Sequence, residues 1–338
     1  MRCHAPQVTG VFAGLSLLGK WDAEQSIFDP AGPAAGTLAG LSWFVLLLFV
    51  GVTLVMWLLI LWVALRRRGT FAEHAPYDAG GGQPWILIGG FLIPTFILAV
   101  VFVHGLRVME AFPLHDGTPY KPEIRIIGRQ WWWEIHYLGD APYQRVVTAN
   151  EIHIPTGQPV EFELESADVI HSFWIPKLHG KVDLVPGLRN HIRLQADQPG
   201  MYHGECAEFC GVQHAHMRLL LVAESPERFE QWLEQQRETG VIPTSPEAER
   251  GQVLFVSRAC GLCHTIRGTE ARGGVGPDLT HLASRHRIAA NSLPNDTAHL
   301  TAWVIHAQSF KPGAQMPNVT QFTGEELRAL VVYLQQLQ

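Results

Sequence analysis

Leu38–Leu65 reads LAGLSWFVLLLFVGVTLVMWLLILWVAL, 28 residues without one charge. A helix rises ~1.5 Å per residue, so this run exceeds the ~30 Å hydrocarbon core of a bilayer. A buried helix of a soluble core rarely runs so far uncharged, and the stretch therefore predicts a membrane span. Arg66, Arg67 and Arg68 follow directly, and positive charge beside a span marks the cytoplasmic side. Trp85–Val103 is a second uncharged run with Pro94 inside it, a residue that membrane helices tolerate as a kink. The predicted spans, about 38–65 and 85–108, form a hairpin over 38–108. With the arginines inside, everything beyond residue 110 lies outside. Ahead of the hairpin, residues 1–37 hold Arg2 and the apolar Val8–Leu18, a thin version of a removable signal.

Charge divides the remainder. Only 17% of the chain is charged while 47% is hydrophobic, as fits a protein with part of its mass in a membrane. Residues 115–240 hold 18 acids against 11 bases, and residues 241–338 hold seven against eight. An acidic middle excludes nucleic-acid binding and suits a basic protein partner steered in by charge.

From about 115 to 224 the pattern has period two. Val160, Phe162 and Leu164 alternate with Glu161, Glu163 and Glu165, the signature of a half-buried strand. His191–Leu194 and Met217–Val222 also read as strands, with turn signals at Pro155-Thr-Gly157, Pro186-Gly187 and Pro199-Gly200 between them. An all-β sandwich or barrel follows, within a domain over 109–238. Ser225-Pro226 opens a helix that closes it. Residues 239–245 read as a linker, and 246–338 as a small helical domain. That domain runs from a Ser245-Pro246 helix start, through a helix near His299–Gln308, to a last helix capped by Thr323-Gly-Glu-Glu326.

Two motifs carry the chemistry. Cys206–Met217 is CAEFCGVQHAHM, with two thiols, two imidazoles, a thioether and a carboxylate within twelve residues. Such ligands favour copper, zinc or iron over magnesium or calcium. The C-x3-C spacing admits zinc, the nearby Met217 favours copper, and structural cysteines are the third reading. Cys260-Gly-Leu-Cys263-His264 has the spacing of covalent c-type haem attachment: two thiols about one helical turn apart, and a histidine for the iron. A redox dithiol or half a zinc site is the rival, weakened by the adjacent His and the lack of a second C-x-x-C. For the sixth iron position Met316, in the rigid Lys311-Pro-Gly-Ala-Gln-Met-Pro317, is the only methionine after His264. His281, His286, His299 and His306 are its rivals. The run Trp131-Trp132-Trp133 is equally readable as interface anchoring or core packing.

The last domain resembles class I cytochrome c through CGLCH, the Gly276–Thr280 loop GPDLT, KPGAQMP and the terminal helix. Gly251 and Phe255, with Leu330 and Tyr333, have the spacing by which that family packs its first helix on its last. Residues from about Asp29 to Glu238 resemble subunit II of cytochrome c oxidase. The two spans, CAEFCGVQHAHM, Gly128-Arg-Gln-Trp-Trp-Trp133, Asp168-Val-Ile-His171-Ser and Lys181-Val-Asp183 carry that likeness. The whole chain is similar to the fused subunit of a caa3-type oxidase.

That resemblance implies a two-helix transmembrane hairpin, an all-β cupredoxin-like Greek-key barrel and an all-α class I cytochrome c domain. It implies a binuclear copper A centre of two copper ions, bridged by Cys206 and Cys210 and ligated by His171 and His214. Met217 and the Glu208 carbonyl would be the weak ligands, while the Glu208 side chain would reach a magnesium shared with subunit I. One covalent haem c would be held by Cys260, Cys263, His264 and Met316. Trp131 would be the point where electrons enter, with Trp133 of the same cluster a second candidate, and Asp168 and Asp183 would lie near the docking face. The implied role is electron input from a soluble cytochrome c or a quinol-oxidising complex towards haem a of subunit I, where oxygen is reduced and protons are moved. Subunits I and III would be partners, in a bacterial inner membrane with both redox domains on the periplasmic or extracellular side. A nitric oxide reductase subunit and a non-enzymatic copper carrier are the rival readings. The sequence departs from the family in two places. Trp85–Val103 contains no acid to feed a proton channel, with Leu87 seven residues before Pro94, and the usual Pro-Gly-Arg-x-Asn has become Pro186-Gly-Leu-Arg189-Asn190.

Overall fold

The computed structural model describes residues 25–66, 82–111, 121–240 and 242–338. The signal-like stretch up to residue 24 and the cationic pair Arg67-Arg68 lie outside them.

Helix α1 is Pro33–Leu65. It begins earlier than the apolar run because Pro33 stands in the first turn, where its missing N–H costs nothing. Its start is also fixed from outside. The Ala31 and Ala35 amides donate to Lys177 O (2.7 Å) and Leu178 O (3.2 Å), and Ala34, Ala35 and Ala39 are buried. Gly32 is required there, since a Cβ would stand 2.3 Å from Gln195 O. The span is thus welded to the β domain at its outer end. Helix α2 starts as Gln83–Leu87, widens to a π turn at Ile88–Leu92 and continues as Ile93–Ala111. The irregularity expected at Pro94 takes this form: Pro94 offers no N–H to the turn before it. Phe44 of α1 meets His104 of α2 with ring centroids 4.5 Å apart. Leucine, valine, tryptophan and phenylalanine side chains cover both helices and stay exposed in the isolated chain. That is the surface a bilayer covers, and the two helices form a transmembrane hairpin.

The β domain has ten strands: β1 Ile124–Arg129, β2 Trp132–Tyr137, β3 Val146–Ala149, β4 Glu151–Pro155, β5 Val160–Ser166, β6 His171–Trp174, β7 Val182–Leu184, β8 Asn190–Leu194, β9 Gly200–Cys206 and β10 Arg218–Glu224. They form two five-stranded sheets, ordered β3-β2-β1-β5-β8 and β4-β10-β9-β6-β7. β1 runs parallel to β5 and β4 parallel to β10, and the other pairings are antiparallel. This is a cupredoxin-like sandwich. Val160, Phe162 and Leu164 are buried in its core as their alternation requires. Glu163 breaks the alternation: it too is buried, and Arg125 Nε at 2.5 Å compensates its charge. Helix α3, Pro226–Arg237, is capped by Ser225 and lays Phe229, Trp232 and Leu233 on the sandwich.

The last domain has α4 Pro246–Ser257, the single-turn α5 Cys260–Cys263, α6 Thr297–Phe310 and α7 Gly324–Leu334. Ser245 caps α4, and Thr323 with Glu326 makes the capping box of α7. α4 and α7 cross with no space at Gly251, where a Cβ would lie 2.1 Å from Ala329 O. Phe255 and Tyr333 meet edge to face beside it, ring centroids 6.2 Å apart. Within the expected linker, the Gly240 amide donates to Arg267 O of this domain at 2.9 Å.

Candidate functional site

The end of β9, the loop after it and the start of β10 form one bowl. The extended β9 delivers Cys206, and the 206–217 loop returns through a 3-10 turn at His214–His216. Cys206 Sγ and Cys210 Sγ lie 3.8 Å apart. His171 Nδ1, at the head of β6, is 3.9 Å from Cys206 Sγ, and His214 Nδ1 is 3.7 Å from Cys210 Sγ. Met217 Sδ stands 3.9 Å from Cys210 Sγ, and the Glu208 carbonyl 3.2 Å from Cys206 Sγ. These separations are too long for a disulfide. They suit sulfurs that share metal ions rather than each other. The six expected ligand groups therefore converge, including the distant His171.

The surroundings orient them. Asp168 Oδ1 accepts from His171 Nε2 at 2.7 Å, which turns the Nδ1 lone pair to the sulfurs. The other Asp168 oxygen accepts from the Gln130 amide at 2.7 Å. Asp168, expected near a docking face, is thus engaged in holding a ligand. Gly128 leaves room for the imidazole, since a Cβ would meet His171 Cδ2 at 2.7 Å. The contact with Cys210 pulls the pKa of Cys206 down, while the same contact and burial push that of Cys210 up. His216 lies outside the bowl, its Nδ1 2.7 Å from Gln213 Oε1. The Glu208 carboxylate points outward, 3.8 Å from Lys181 Nζ.

A cavity of about 320 Å³ lies in the helical domain and is walled on one side by Gln130, Trp131 and Trp132 of the β domain. Cys260, Cys263, His264 and Met316 all line it. His264 Nδ1 lies 2.8 Å from Pro277 O. A carbonyl can only accept, so Nδ1 carries the proton and Nε2 keeps the lone pair. Burial holds the pKa of His264 down and keeps it neutral, against the raising effect of the Pro277 carbonyl. Gly276 makes space for the ring, because a Cβ would come within 2.6 Å of it. The two thiols are free. Leu279, Leu282, Leu300 and Leu330 supply apolar wall. A neutral imidazole, a thioether, two free thiols and an apolar slot fit a covalently held haem.

Trp131 lies between the two sites. It lines the cavity, and its Nε1 donates to Cys210 O at 3.0 Å. Gln130 Nε2 donates to the same carbonyl at 2.7 Å. Trp133 faces the other way. It is fully buried in the core, edge-on to His171 at 6.1 Å and to Phe173 at 5.8 Å. Sequence reasoning did not reveal Lys311, which joins the domains from beside the cavity. Its position two residues before Gly313 in KPGAQMP was the signal available.

Fold and site together define a membrane-anchored electron-transfer protein with a soft-metal bowl and a haem crevice. Residues 138–224 match the family described as cytochrome C oxidase subunit II, periplasmic domain, and residues 248–338 match cytochrome c. Cytochrome c oxidase subunit 2 of Alkalihalophilus pseudofirmus is 33% identical over 316 residues, covering 91% of this chain and 90% of that one. Its counterpart from Bacillus subtilis is 28% identical, covering 92% and 91%. The crystallised periplasmic domain of subunit II from Bradyrhizobium japonicum aligns with a TM-score of 0.33 at 26% identity, covering 36% of this chain and 96% of that one. The chain belongs to the cytochrome c oxidase subunit 2 family, in the form that carries a fused cytochrome c domain, and is part of a haem–copper oxidase complex to which it brings electrons.

Proposed function

We propose that this chain receives electrons at a covalent haem c and delivers them, by way of a binuclear copper A centre, to subunit I for reduction of oxygen to water coupled to proton translocation. When bound, the haem and the two coppers supply one-electron redox chemistry. Cys260, Cys263, His264 and Met316 would hold the haem. Cys206, Cys210, His171, His214, Met217 and the Glu208 carbonyl would hold the coppers. The Glu208 carboxylate is free to turn outward to a magnesium shared with subunit I. The donor is a soluble cytochrome c or a quinol-oxidising complex, subunit III is a further neighbour, and the setting is the bacterial inner membrane with both domains outside.

One observation carries this reading: Trp131 lines the crevice that holds the haem-motif residues and donates a hydrogen bond to the carbonyl of Cys210. A single side chain thus touches both sites, and electrons entering the copper centre would come from the chain's own haem domain. Trp131 would be the connection, and Trp133 a core support for His171.

Spectroscopy of the purified oxidase tests it. The expected result is a reduced c-type haem band together with a mixed-valence copper signal in electron paramagnetic resonance, with two copper ions per chain of this subunit. One zinc ion in place of copper would sink the proposal. Trp131→Ala should slow haem-to-copper transfer while leaving both spectra intact.

A further inference from the structure

Lys311 is 3% exposed. Burying an amine costs free energy unless its N–H groups find acceptors. A methionine of similar volume would fill the same space without that cost. Two of its three donors have partners: Nζ is 2.8 Å from Trp131 O and 3.0 Å from His216 O. Both carbonyls belong to the β domain. His216 sits in the loop between His214 and Met217, and the Trp131 side chain holds Cys210 O. On its own side Lys311 is tied to the loop of Met316. Its carbonyl accepts from the Ala314 amide at 3.1 Å. Gln308 Nε2 then binds Ala314 O at 2.7 Å and Met316 O at 2.6 Å. Gln213 Nε2 adds a second tie across the same seam, 2.8 Å from Pro312 O.

We infer that Lys311 is a positioning residue for electron transfer within this chain: its buried Nζ clamps the loop carrying Met316 to Trp131 and to the 206–217 loop, and so fixes the approach of the haem crevice to the copper bowl. The inference rests on the electron route proposed above. It adds what sets the geometry of that route. Lys311 touches neither cofactor's expected ligand atoms and acts through Trp131 and the two loops. The choice of an amine follows from its acceptors. Two backbone carbonyls on separate segments converge where a donor with several protons can hold both, which an apolar side chain of that volume cannot do.

The test uses the intact oxidase carrying Lys311→Met, with Lys311→Arg as the variant that keeps a cationic donor. Haem-to-copper transfer is followed after photochemical reduction of the haem, and hydrogen–deuterium exchange is followed at residues 213–217 and 311–317. Lys311→Met should slow transfer at least about tenfold, the scale expected when reacting groups lose their alignment. Exchange should accelerate in both loops, and Lys311→Arg should restore most of the rate. An unchanged rate in Lys311→Met overturns the inference and leaves the route standing. Faster exchange confined to residues 311–317, with Arg no better than Met, also overturns it, because ordinary packing would do the same. No haem-to-copper transfer in the native protein overturns the route and the inference together. If Lys311→Met does not assemble, Lys311→Gln is judged by the same two readouts.

Discussion

Asp168 shows how much a single residue outside the ligand set decides. It binds His171 Nε2 with one oxygen and the Gln130 amide with the other. The ring is thereby locked with Nδ1 towards Cys206, and Gln130 is aligned to reach Cys210 O at 2.7 Å. Removing the carboxylate charge while keeping the shape should loosen the metal without touching the haem domain. Asp168→Asn is therefore expected to weaken copper retention by about 10- to 100-fold, the usual effect of losing a partner behind a ligating histidine. Titration with a competing chelator measures this, with the c-type haem band as internal control. Cys206→Ser should act more severely and abolish the copper signal, again leaving the haem spectrum intact. The proposed ligands Cys206, Cys210, His214 and Met217 are legible in sequence because they fall within twelve residues. His171 stands 35 positions before Cys206, and only the pairing of β6 with β9 brings it near. Asp168 reads as a surface acid until the turn ahead of β6 folds it back.

At the scale of elements, the regular parts were written locally. The strand of Val160–Leu164 announces itself by alternation, and Ser225, Ser245 and Thr323 announce their helices by capping chemistry. The order of strands was not legible. Parallel neighbours such as β1 and β5 are set by contacts across 38 residues, which no local pattern records. Gly251 lies between these cases. Its spacing to Phe255 matched a known helix pairing, but its necessity comes from the 2.1 Å approach of Ala329 O to where a Cβ would be, with Tyr333 Cβ at 2.6 Å. Backbone and a buried ring cannot yield as a flexible side chain would. Gly251→Ala should force α4 and α7 apart and destabilise the haem domain by about 1–3 kcal/mol. Thermal unfolding followed at the haem band should move down, while the copper signal is retained up to the new transition. An unmoved transition would show that the crossing relaxes freely.

The domains of the whole molecule are joined by polar ties, and one cluster of them titrates. Glu151 of β4 accepts from the His286 amide at 2.9 Å and lies 3.1 Å from both His286 Nδ1 and His153 Nε2. His153 Nδ1 is 2.6 Å from Glu224 Oε1, and its ring stacks on Trp232 at 4.0 Å. Arg285 and Arg228 are the remaining charges that act on the cluster. Burial disfavours charge on Glu151, but the two imidazoles outweigh it and hold its pKa down to about 2. The partner acids raise both His153 and His286 above 6.5, against the cost of burial. The imidazole contribution is complete below 6.5 and is lost as pH rises through the raised values; the carboxylate contribution is complete above 4.5 and is lost as pH falls towards the lowered ones. Of the two histidines only His286 belongs to the haem domain, so the Glu151–His286 contact is the part of the cluster that holds it against the β domain, most firmly between pH 4.5 and 6.5, and its hold weakens on the alkaline side. Lys311 titrates in a nearby range, burial having pulled its pKa down to about 7, so the cluster has to be isolated by substitution. Glu151→Gln removes the shared acceptor charge and leaves Lys311 in place. Spin labels on the two domains should report a single short distance in the native protein at mildly acid pH, broadening as the histidines lose their protons. In Glu151→Gln the distribution should be broad already at acid pH and change little with alkalinity. A native-like pH response in that variant would move the titrating contact away from Glu151.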